Sequence, residues 1–218
     1  MHANPVIWPQ SRQMIRPPSS TSRFHARRNY KAKFEVAPKT GPLDKLSDCD
    51  GVLIVADIEN WAYGARDLML QIDFAALAYL LKTAIKRPHL HAFFSADEND
   101  YVIADRLIAC GWTPHPRAII ERPAQIGRTR SANADLAIAF GAAKLLGHQR
   151  AGGILLGTGD GVLALDCARA IRANFKKCKF IGTLSLAGST SHLIDARLAR
   201  EIDINAEIGL DAMRPLGS

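Results

Sequence analysis

Short apolar runs and helical stripes alternate along most of this chain, and this alternation constrains its fold more than any other feature. The runs at residues 51–57 and 153–157 are almost wholly apolar, as is typical of strands buried on both faces, and a third strand is expected at the more mixed run 89–95. Residues 73–86 instead carry apolar side chains at helical spacing, with Asp73 placed to cap the helix. Alternating strands and helices predict a parallel sheet covered by helices on both faces, which is a three-layer α/β domain.

The same alternation continues toward the C-terminus and gives about five strands in all. We expect the remaining two strands at residues 116–120 and 180–186. Further helices are expected at residues 100–110, 133–146, 162–175 and 190–199. The polar, basic stretch at 121–131 is expected to be a loop. The folded domain is therefore expected to span residues 46–210 and to be followed by a C-terminal tail, residues 211–218.

The positive charge of the chain is concentrated at its N-terminal end. Residues 1–40 contain eight lysines and arginines and a single acid, Glu35, whereas the other residues hold 20 basic and 20 acidic side chains. Because the segment also holds five prolines and lacks a sustained apolar period, we expect residues 1–45 to form a basic, disordered tail. Such a tail favours weak contact with phosphates. A solvated extension and an organellar transit peptide are the alternatives.

The composition argues against a membrane-bound or secreted protein. No uninterrupted apolar run approaches the ~18 residues that a membrane helix needs, and no stretch resembles the apolar core of a secretory signal. The four cysteines form no C-x-x-C pair and are typical of reduced thiols. We expect a cytoplasmic location, with an organellar one as the alternative. On the second strand, His89 and His91 share a face. They are expected either to pack and form hydrogen bonds or to provide one pair of zinc ligands.

Three carboxylates are expected to converge at one edge of the sheet. Asp57 ends the first strand, Asp160 follows the fourth, and Asp135 lies in the first turn of the helix after the basic loop. Ligands bind beyond the C-terminal ends of parallel strands, so we expect these carboxylates within about 8 Å of one another. Each also has a structural explanation, since aspartates are favoured at helix N-termini and in turns. Converging carboxylates are usually compensated by a cation, and all-oxygen ligands suit Mg²⁺ or Mn²⁺.

Three short motifs, "DIEN" at 57–60, "NADLAI" at 133–138 and "GTGDG" at 157–161, resemble the NYN domain, a branch of the PIN-like ribonucleases. The resemblance covers about residues 50–205. It implies a Rossmann-like sheet with strand order 3-2-1-4-5, a Mg²⁺ or Mn²⁺ site and hydrolysis of phosphodiester bonds in RNA, single-stranded by expectation. The implied catalytic residues are Asp57, Asn60, Asp135 and Asp160, and the three aspartates are the implied metal ligands.

The chain departs from the family pattern at Val162, where a second acid usually follows the strand-four loop. Three carboxylates therefore stand where four are usual. Either one metal ion suffices, or auxiliary acids contribute, or activity is lost. The auxiliary residues expected at the same edge are Glu59, Asp97 and Asp100, together with Ser189 and Ser191 in the polar turn after the fifth strand. For Asp97 and Asp100, a solvated loop with a helix cap is the alternative.

Basic and aromatic side chains near the expected site provide candidate RNA contacts. Arg128 and Arg130 lie on the loop before Asp135 and are expected to bind RNA phosphates, with a solvated loop as the alternative. Trp61 and Tyr63 are candidates for stacking on a base. Core packing is the alternative for Trp61.

Two functions from different classes stay open. The first is a metal-dependent ribonuclease, and the second is a non-catalytic RNA-binding module on the same fold, which Val162 favours. The loop "TGDGV" at 158–162 also resembles the metal loop of haloacid-dehalogenase phosphatases. Those enzymes need a D-x-D-x-T type nucleophile on the first strand, whereas this chain has Asp-Ile-Glu-Asn there. A homodimer is left open.

Overall fold

A parallel sheet of six strands, flanked by helices, forms the centre of the protein. The structure, a computed structural model, describes residues 43–96, 102–123, 128–131, 134–149, 151–186 and 200–217. All strand pairs of the central sheet are parallel. The predicted three-layer α/β fold is therefore confirmed.

Ten strands and five α-helices lie in the described residues. The strands are β1 (Val52–Asp57), β2 (Leu70–Ile72), β3 (Pro88–Ala96), β4 (Thr113–Ala118), β5 (Ile120–Pro123), β6 (Arg128–Ser131), β7 (Gly153–Gly157), β8 (Phe180–Leu186), β9 (Ile204–Ile208) and β10 (Met213–Pro215). The α-helices are α1 (Ile58–Asp67), α2 (Phe74–Ala84), α3 (Val102–Ala109), α4 (Ala134–Gln149) and α5 (Gly161–Asn174). Short 3₁₀ turns are formed by Leu43–Leu46 and Leu210–Ala212.

The strand order places the candidate site at the middle of the sheet. The order is β4-β3-β1-β7-β8-β9. The five predicted strands stand in the expected 3-2-1-4-5 order, and the observed sheet differs from it by β9 at the edge. From β1 the chain adds β3 and β4 on one side of the sheet. It then returns to the centre and adds β7, β8 and β9 on the other side. The ends of β1 and β7 therefore flank the switch point, where open α/β sheets bind ligands.

Strand β1 is buried on both faces, which explains its unbroken apolar sequence. Ile54 and Ala56 pack with the helices α1, α2 and α3, whereas Leu53 and Val55 pack with α4 and α5. Every residue of β1 is buried. Since burying one such aliphatic side chain contributes about 1.5–3 kcal/mol, the strand that carries Asp57 is firmly anchored.

Aspartates begin three of the helices. The Asp73 carboxylate accepts hydrogen bonds from the N–H groups of Ala75 and Ala76, both at 3.0 Å, so the predicted cap of α2 is confirmed. Asp57 and Asp160 cap α1 and α5 in the same way. Within the described residues, no helix combines the length and apolar character needed to cross a membrane.

Two predicted elements need correction. The third strand is β4 at Thr113–Ala118, earlier in the chain than the expected 116–120. It is an edge strand, the position that tolerates its prolines Pro114 and Pro116. The stretch expected to be a loop at 121–131 instead contains an antiparallel pair, β5 with β6, which the polar sequence does not predict.

The C-terminal residues belong to the domain and are not a tail from residue 211. Strand β10 pairs antiparallel with β2, and Ala212 is fully buried. The carbonyl oxygen of Ala212 also accepts a hydrogen bond from the N–H of Asp73, with 2.9 Å between N and O. The predicted helix at 190–199 and residues 1–42 of the predicted basic tail lie outside the described residues.

Candidate functional site

Asp57 is a buried carboxylate at the C-terminal end of β1. Its side chain is 7% exposed, and its Oδ1 accepts a hydrogen bond from the N–H of Asn60 at 3.1 Å. Burial is the main cause that raises the pKa of Asp57 to about 6. The hydrogen bond from Asn60 opposes this shift, and the charges of Glu59 and Asp135 add to it. Asp57 is thus an acid surrounded by other acids, at a position where burial already disfavours its charge.

Asn60 joins the start of α1 to the turn between β7 and α5. Its Oδ1 accepts a hydrogen bond from the N–H of Gly159, with 2.8 Å between the atoms. That oxygen is therefore used within the protein, and a contact of Asn60 with a water or phosphate oxygen is left to its Nδ2. The expected role of Asn60 toward a ligand stays a prediction.

Asp160 is held by its own turn. Its Oδ1 accepts hydrogen bonds from the N–H groups of Val162 at 2.8 Å and Leu163 at 3.2 Å. The N–H of Asp160 in turn donates to the Oγ1 of the buried Thr158 at 3.1 Å. The carboxylate remains exposed at the sheet edge, so it caps a helix and still faces solvent.

Asp135 lies in the first turn of α4 and is exposed, as the sequence predicts. Asp135 and Asp160 line the same cleft between α4 and α5, and the charge of Asp135 acts on Asp57. Asn60 links the turn of Asp160 to the helix that Asp57 caps. The four predicted residues are therefore neighbours at one edge of the sheet.

The described residues contain no group of three or more His, Cys, Asp or Glu side chains arranged to hold a metal ion. This finding gives no support to the expected 8 Å spacing of Asp57, Asp135 and Asp160, and the spacing stays a prediction. The donor atoms of Asp57, Asp135 and Asp160 nevertheless suit a hard cation, because they are all carboxylate oxygens. Magnesium keeps several waters and needs only one or two carboxylates from the protein.

The auxiliary residues are only partly described. Glu59 lies at the predicted edge, where its Oε1 accepts a hydrogen bond from the N–H of Ser95 at 3.3 Å and ties α1 to β3. Asp97, Asp100, Ser189 and Ser191 lie outside the described residues. The backbones of Arg128 and Arg130 belong to β6, so these residues are on a strand and not on a loop.

Val162, the residue that departs from the family pattern, is the second residue of α5. Its side chain is 61% exposed and lines the cleft together with Asp135 and Asp160. An acid at this position would therefore stand beside the predicted carboxylates, as the resemblance implies. The next acid of α5, Asp166, follows one helical turn later and lines the same cleft.

Of the two candidate stacking residues, one is a core residue. Trp61 is fully buried, and its Nε1 donates to the carbonyl oxygen of Leu184 at 3.1 Å, so core packing is the correct reading and base stacking is excluded. A Cβ on Gly157 would lie 2.6 Å from the Trp61 ring, which explains a glycine at the end of β7. Tyr63 is 64% exposed, with the Arg66 guanidinium 5.9 Å from its ring centre.

His91 and His115 form a packed pair between β3 and β4. The Nδ1 of His91 lies 2.9 Å from the Nε2 of His115, and the other ring nitrogen of His91 contacts the Gln149 amide. His91 is buried, and burial, followed by the charge of His115, lowers its pKa to about 4. Hydrogen bonding, one of the two open alternatives, thus describes His91. His115 and Gln149 were not identified from the sequence, since neither stands in a recognisable motif.

Comparisons with known proteins agree with the fold. No protein-family model matches the chain, and no curated protein matches its sequence. A crystal structure of a protein of unknown function from Vibrio parahaemolyticus is similar, with a TM-score of 0.60 and 18% sequence identity over 75% of this chain and 96% of that chain. At this level of identity the likeness shows a shared α/β fold.

Proposed function

We propose that this protein is a metal-dependent ribonuclease of the NYN kind, which hydrolyses phosphodiester bonds of single-stranded RNA at the C-terminal edge of its sheet. The observation that carries the proposal is Asp57. A buried carboxylate with acidic neighbours ends the central strand, and burial raises its pKa to about 6. Perturbed carboxylates at a strand-order switch point are typical of functional sites. A cytoplasmic location is part of the proposal.

In this proposal Asp57, Asp135 and Asp160 hold a Mg²⁺ or Mn²⁺ ion. The ion would supply positive charge that polarises the scissile phosphate and lowers the pKa of a bound water. Asp57 has to be ionised to act as a ligand, which favours a pH above about 6. Asn60 keeps the ends of β1 and β7 in fixed relation.

Substrate binding in this proposal relies on basic residues that precede α4. Arg128 and Arg130 precede α4, whose first turn carries Asp135, and they are proposed to bind RNA phosphates. Guanidinium groups there would offset the repulsion between RNA and the carboxylates. Tyr63, which is exposed, is the remaining candidate for stacking on a base.

A non-catalytic RNA-binding module is the second candidate function. Val162 favours it, since an apolar side chain is exposed where the family usually has an acid. The two candidates differ in their need for metal, because only the nuclease requires a cation for its effect on RNA.

The deciding experiment is incubation of the purified protein with end-labelled single-stranded RNA in Mn²⁺, in Mg²⁺ and in chelator. We expect fragments with either cation and intact RNA in chelator. Asp57→Asn should abolish cleavage and keep the helix cap, because asparagine caps as well as aspartate. Asp73→Asn makes the same exchange at the cap of α2 and should leave cleavage unchanged. Intact RNA that shifts in a gel without any cation would favour the binding module.

A further inference from the structure

A largely apolar cleft of about 640 Å³ runs between α4 and α5. Its walls include Leu136 and Ala139 from α4 and Leu163 and Ile171 from α5, and Phe175 lies just past the end of α5. It begins at Asp135 and Asp160 and extends along both helices, well beyond the carboxylates themselves. The proposed hydrolysis of RNA does not account for this length of apolar surface.

The charge of the cleft is negative. Asp135, Asp160 and Asp166 line it, and none of its lining residues in the described part of the chain is a lysine, an arginine or a histidine. Asp166 also pairs with Arg169 at 3.7 Å, an exposed ion pair of the kind that is readily exchanged. An RNA backbone is disfavoured along such a surface, whereas a polypeptide that is both basic and apolar suits it.

Several apolar side chains at and beside the cleft are exposed. Val162, which lines the cleft, is 61% exposed, and Leu136 is 54% exposed. Phe140, which follows Leu136 by one helical turn, is 71% exposed. A partner that covered these groups would gain the free energy of removing them from water.

The chain itself contains a segment of matching chemistry. Residues 30–36 read "YKAKFEV", in which Tyr30, Ala32, Phe34 and Val36 alternate with charged residues. In an extended conformation this period of two places the apolar side chains on one side and Lys31, Lys33 and Glu35 on the other, with two positive charges against one negative. The segment belongs to residues 1–40, which carry eight basic residues and one acid.

The segment has to pass the N-terminal edge of the strands to enter the cleft, because Leu43 packs on the face of the sheet opposite α4 and α5. The described chain begins at Leu43, and nearby Cys49 is close enough to Cys178 to contribute to its raised pKa. The N–H of Cys178 donates to the carbonyl oxygen of Phe175, which lines the end of the cleft. The six residues between Val36 and Leu43 span up to about 20 Å when extended. A helix of the length of α5 is about 20 Å long.

We propose that residues 30–36 dock in the cleft between α4 and α5 of their own chain. The apolar side chains of the segment cover the cleft walls. Lys31 and Lys33 leave the outer side of the segment, and their long side chains bend back to the rim formed by Asp135, Asp160 and Asp166. Docking brings positive charge next to two of the predicted metal ligands. The segment then competes with any cation or RNA that binds at this edge. The contact itself does not depend on the proposed ribonuclease activity.

The test is zero-length cross-linking of lysines to carboxylates with a carbodiimide, on the full chain, followed by mass spectrometry. An equal mixture of ¹⁵N-labelled and unlabelled protein separates contacts within one chain from contacts between copies. We expect Lys31 and Lys33 to link to Asp135, Asp160 or Asp166, with both linked peptides from the same isotope. Phe34→Asp should lower the yield of these cross-links at least about tenfold. This factor corresponds to the lower end of the free energy that is lost when a buried aromatic side chain is exposed.

The matched control is Phe24→Asp, which makes the same exchange in the same part of the chain but outside the alternating stretch. It should leave the cross-links unchanged. Equal losses in both variants, or links spread over carboxylates across the surface, would overturn the proposal. Linked pairs of mixed isotope would assign the cleft to a second copy and overturn docking within one chain.

Hydrogen exchange of the full chain provides an independent readout. We expect α4 and α5 to exchange faster in Phe34→Asp than in the wild type and in Phe24→Asp. If their protection instead appears only when oligo(U) RNA is added, and Phe34→Asp does not change it, RNA is the occupant and the proposal is wrong.

Discussion

The side-chain oxygen of Asn60 and the backbone N–H of Gly159 are joined by a hydrogen bond of 2.8 Å. The same asparagine donates its own N–H to the carboxylate of Asp57. The end of β1 and the turn after β7 are therefore fixed to each other through one residue. Because Asp57 and Asp160 lie on either side of this connection, the relative position of the two acids depends on Asn60.

Replacing Asn60 by alanine should destabilise the protein. The substitution leaves the partly buried N–H of Gly159 without its acceptor, at a cost of about 1–3 kcal/mol. For a chain of this size, that corresponds to a fall in Tm of roughly 2–12 °C. Asn60→Asp keeps an acceptor oxygen for the N–H of Gly159. In the presence of Mn²⁺ it should therefore lose less stability than Asn60→Ala.

Thermal unfolding of both variants measures this effect. Asn174→Ala is the control, because the Asn174 side chain also hydrogen-bonds to a backbone group, the carbonyl oxygen of Ala170, but does so at the surface and as a donor. A loss in Asn60→Ala no greater than that in the control would mean that the connection to Gly159 contributes little.

The fold was predictable where a strand is buried on both faces. The boundaries of β7 and β8 agree with the sequence because their apolar runs stop where the strands do. Helix α1 was not predicted. Its buried residues, Ile58, Trp61 and Ala65, have helical spacing, but the stretch is short, rich in polar residues and contains Gly64, a weak helix former.

The candidate site was predictable only in part. Asp57 and Asp160 were found because each directly follows an apolar strand, and parallel strands bring such ends to one edge. The bond between Asn60 and Gly159 joins residues 99 positions apart and depends on the pairing of β1 with β7, which no local pattern encodes. The pairing of β2 with β10 escaped prediction for the same reason.

Asp57→Asn should stabilise the protein near neutral pH while it abolishes the proposed cleavage. The pKa of Asp57 is about 6 in the folded protein and about 3.9 when unfolded, so the folded state binds more protons in between. The contribution of Asp57 to stability therefore falls as pH rises from about 4 to 6. The total loss of stability over this range is at most about 3 kcal/mol. Asp57→Asn is expected to avoid that loss.

Urea unfolding at several pH values between 4 and 8 measures the difference between Asp57→Asn and the wild type. That difference should grow with pH up to about 6 and then level off. Asp73→Asn is the matched control, since it also keeps a helix cap and leaves Asp57 in place. A constant difference across the range would contradict the raised pKa of Asp57.

His91→Gln should have the opposite dependence on pH. The pKa of His91 is about 4 in the folded protein and about 6.5 when unfolded, because burial disfavours its charge. The unfolded state therefore binds more protons between these values, and the contribution of His91 to stability is lost as pH falls from about 6.5 to 4. Glutamine has no such titration and can still hydrogen-bond to Gln149.

Relative to the wild type, His91→Gln should become progressively more stable as the pH of the urea series is lowered. Since Asp57 and His91 act in opposite directions over nearly the same range, the wild type should vary less with pH than either variant. His148→Gln, at an exposed histidine of α4, is the control. Parallel curves for His91→Gln and the wild type would show that His91 does not stay neutral in the folded protein.

The last prediction concerns Val162, the second residue of α5, whose N–H donates to the Asp160 carboxylate. In Val162→Asp a new carboxylate joins Asp135 and Asp160 at the cleft. In chelator, the Tm of this variant should therefore be lower than that of the wild type, because the like charges repel one another. An added cation binds the folded state preferentially, so Mn²⁺ should reverse the sign of the change and increase RNA cleavage. Val162→Asn, of similar shape but uncharged, should not respond to Mn²⁺ in this way. If Mn²⁺ leaves both the Tm and the cleavage of Val162→Asp unchanged, position 162 is not at a metal site, and the non-catalytic RNA-binding module becomes the better proposal.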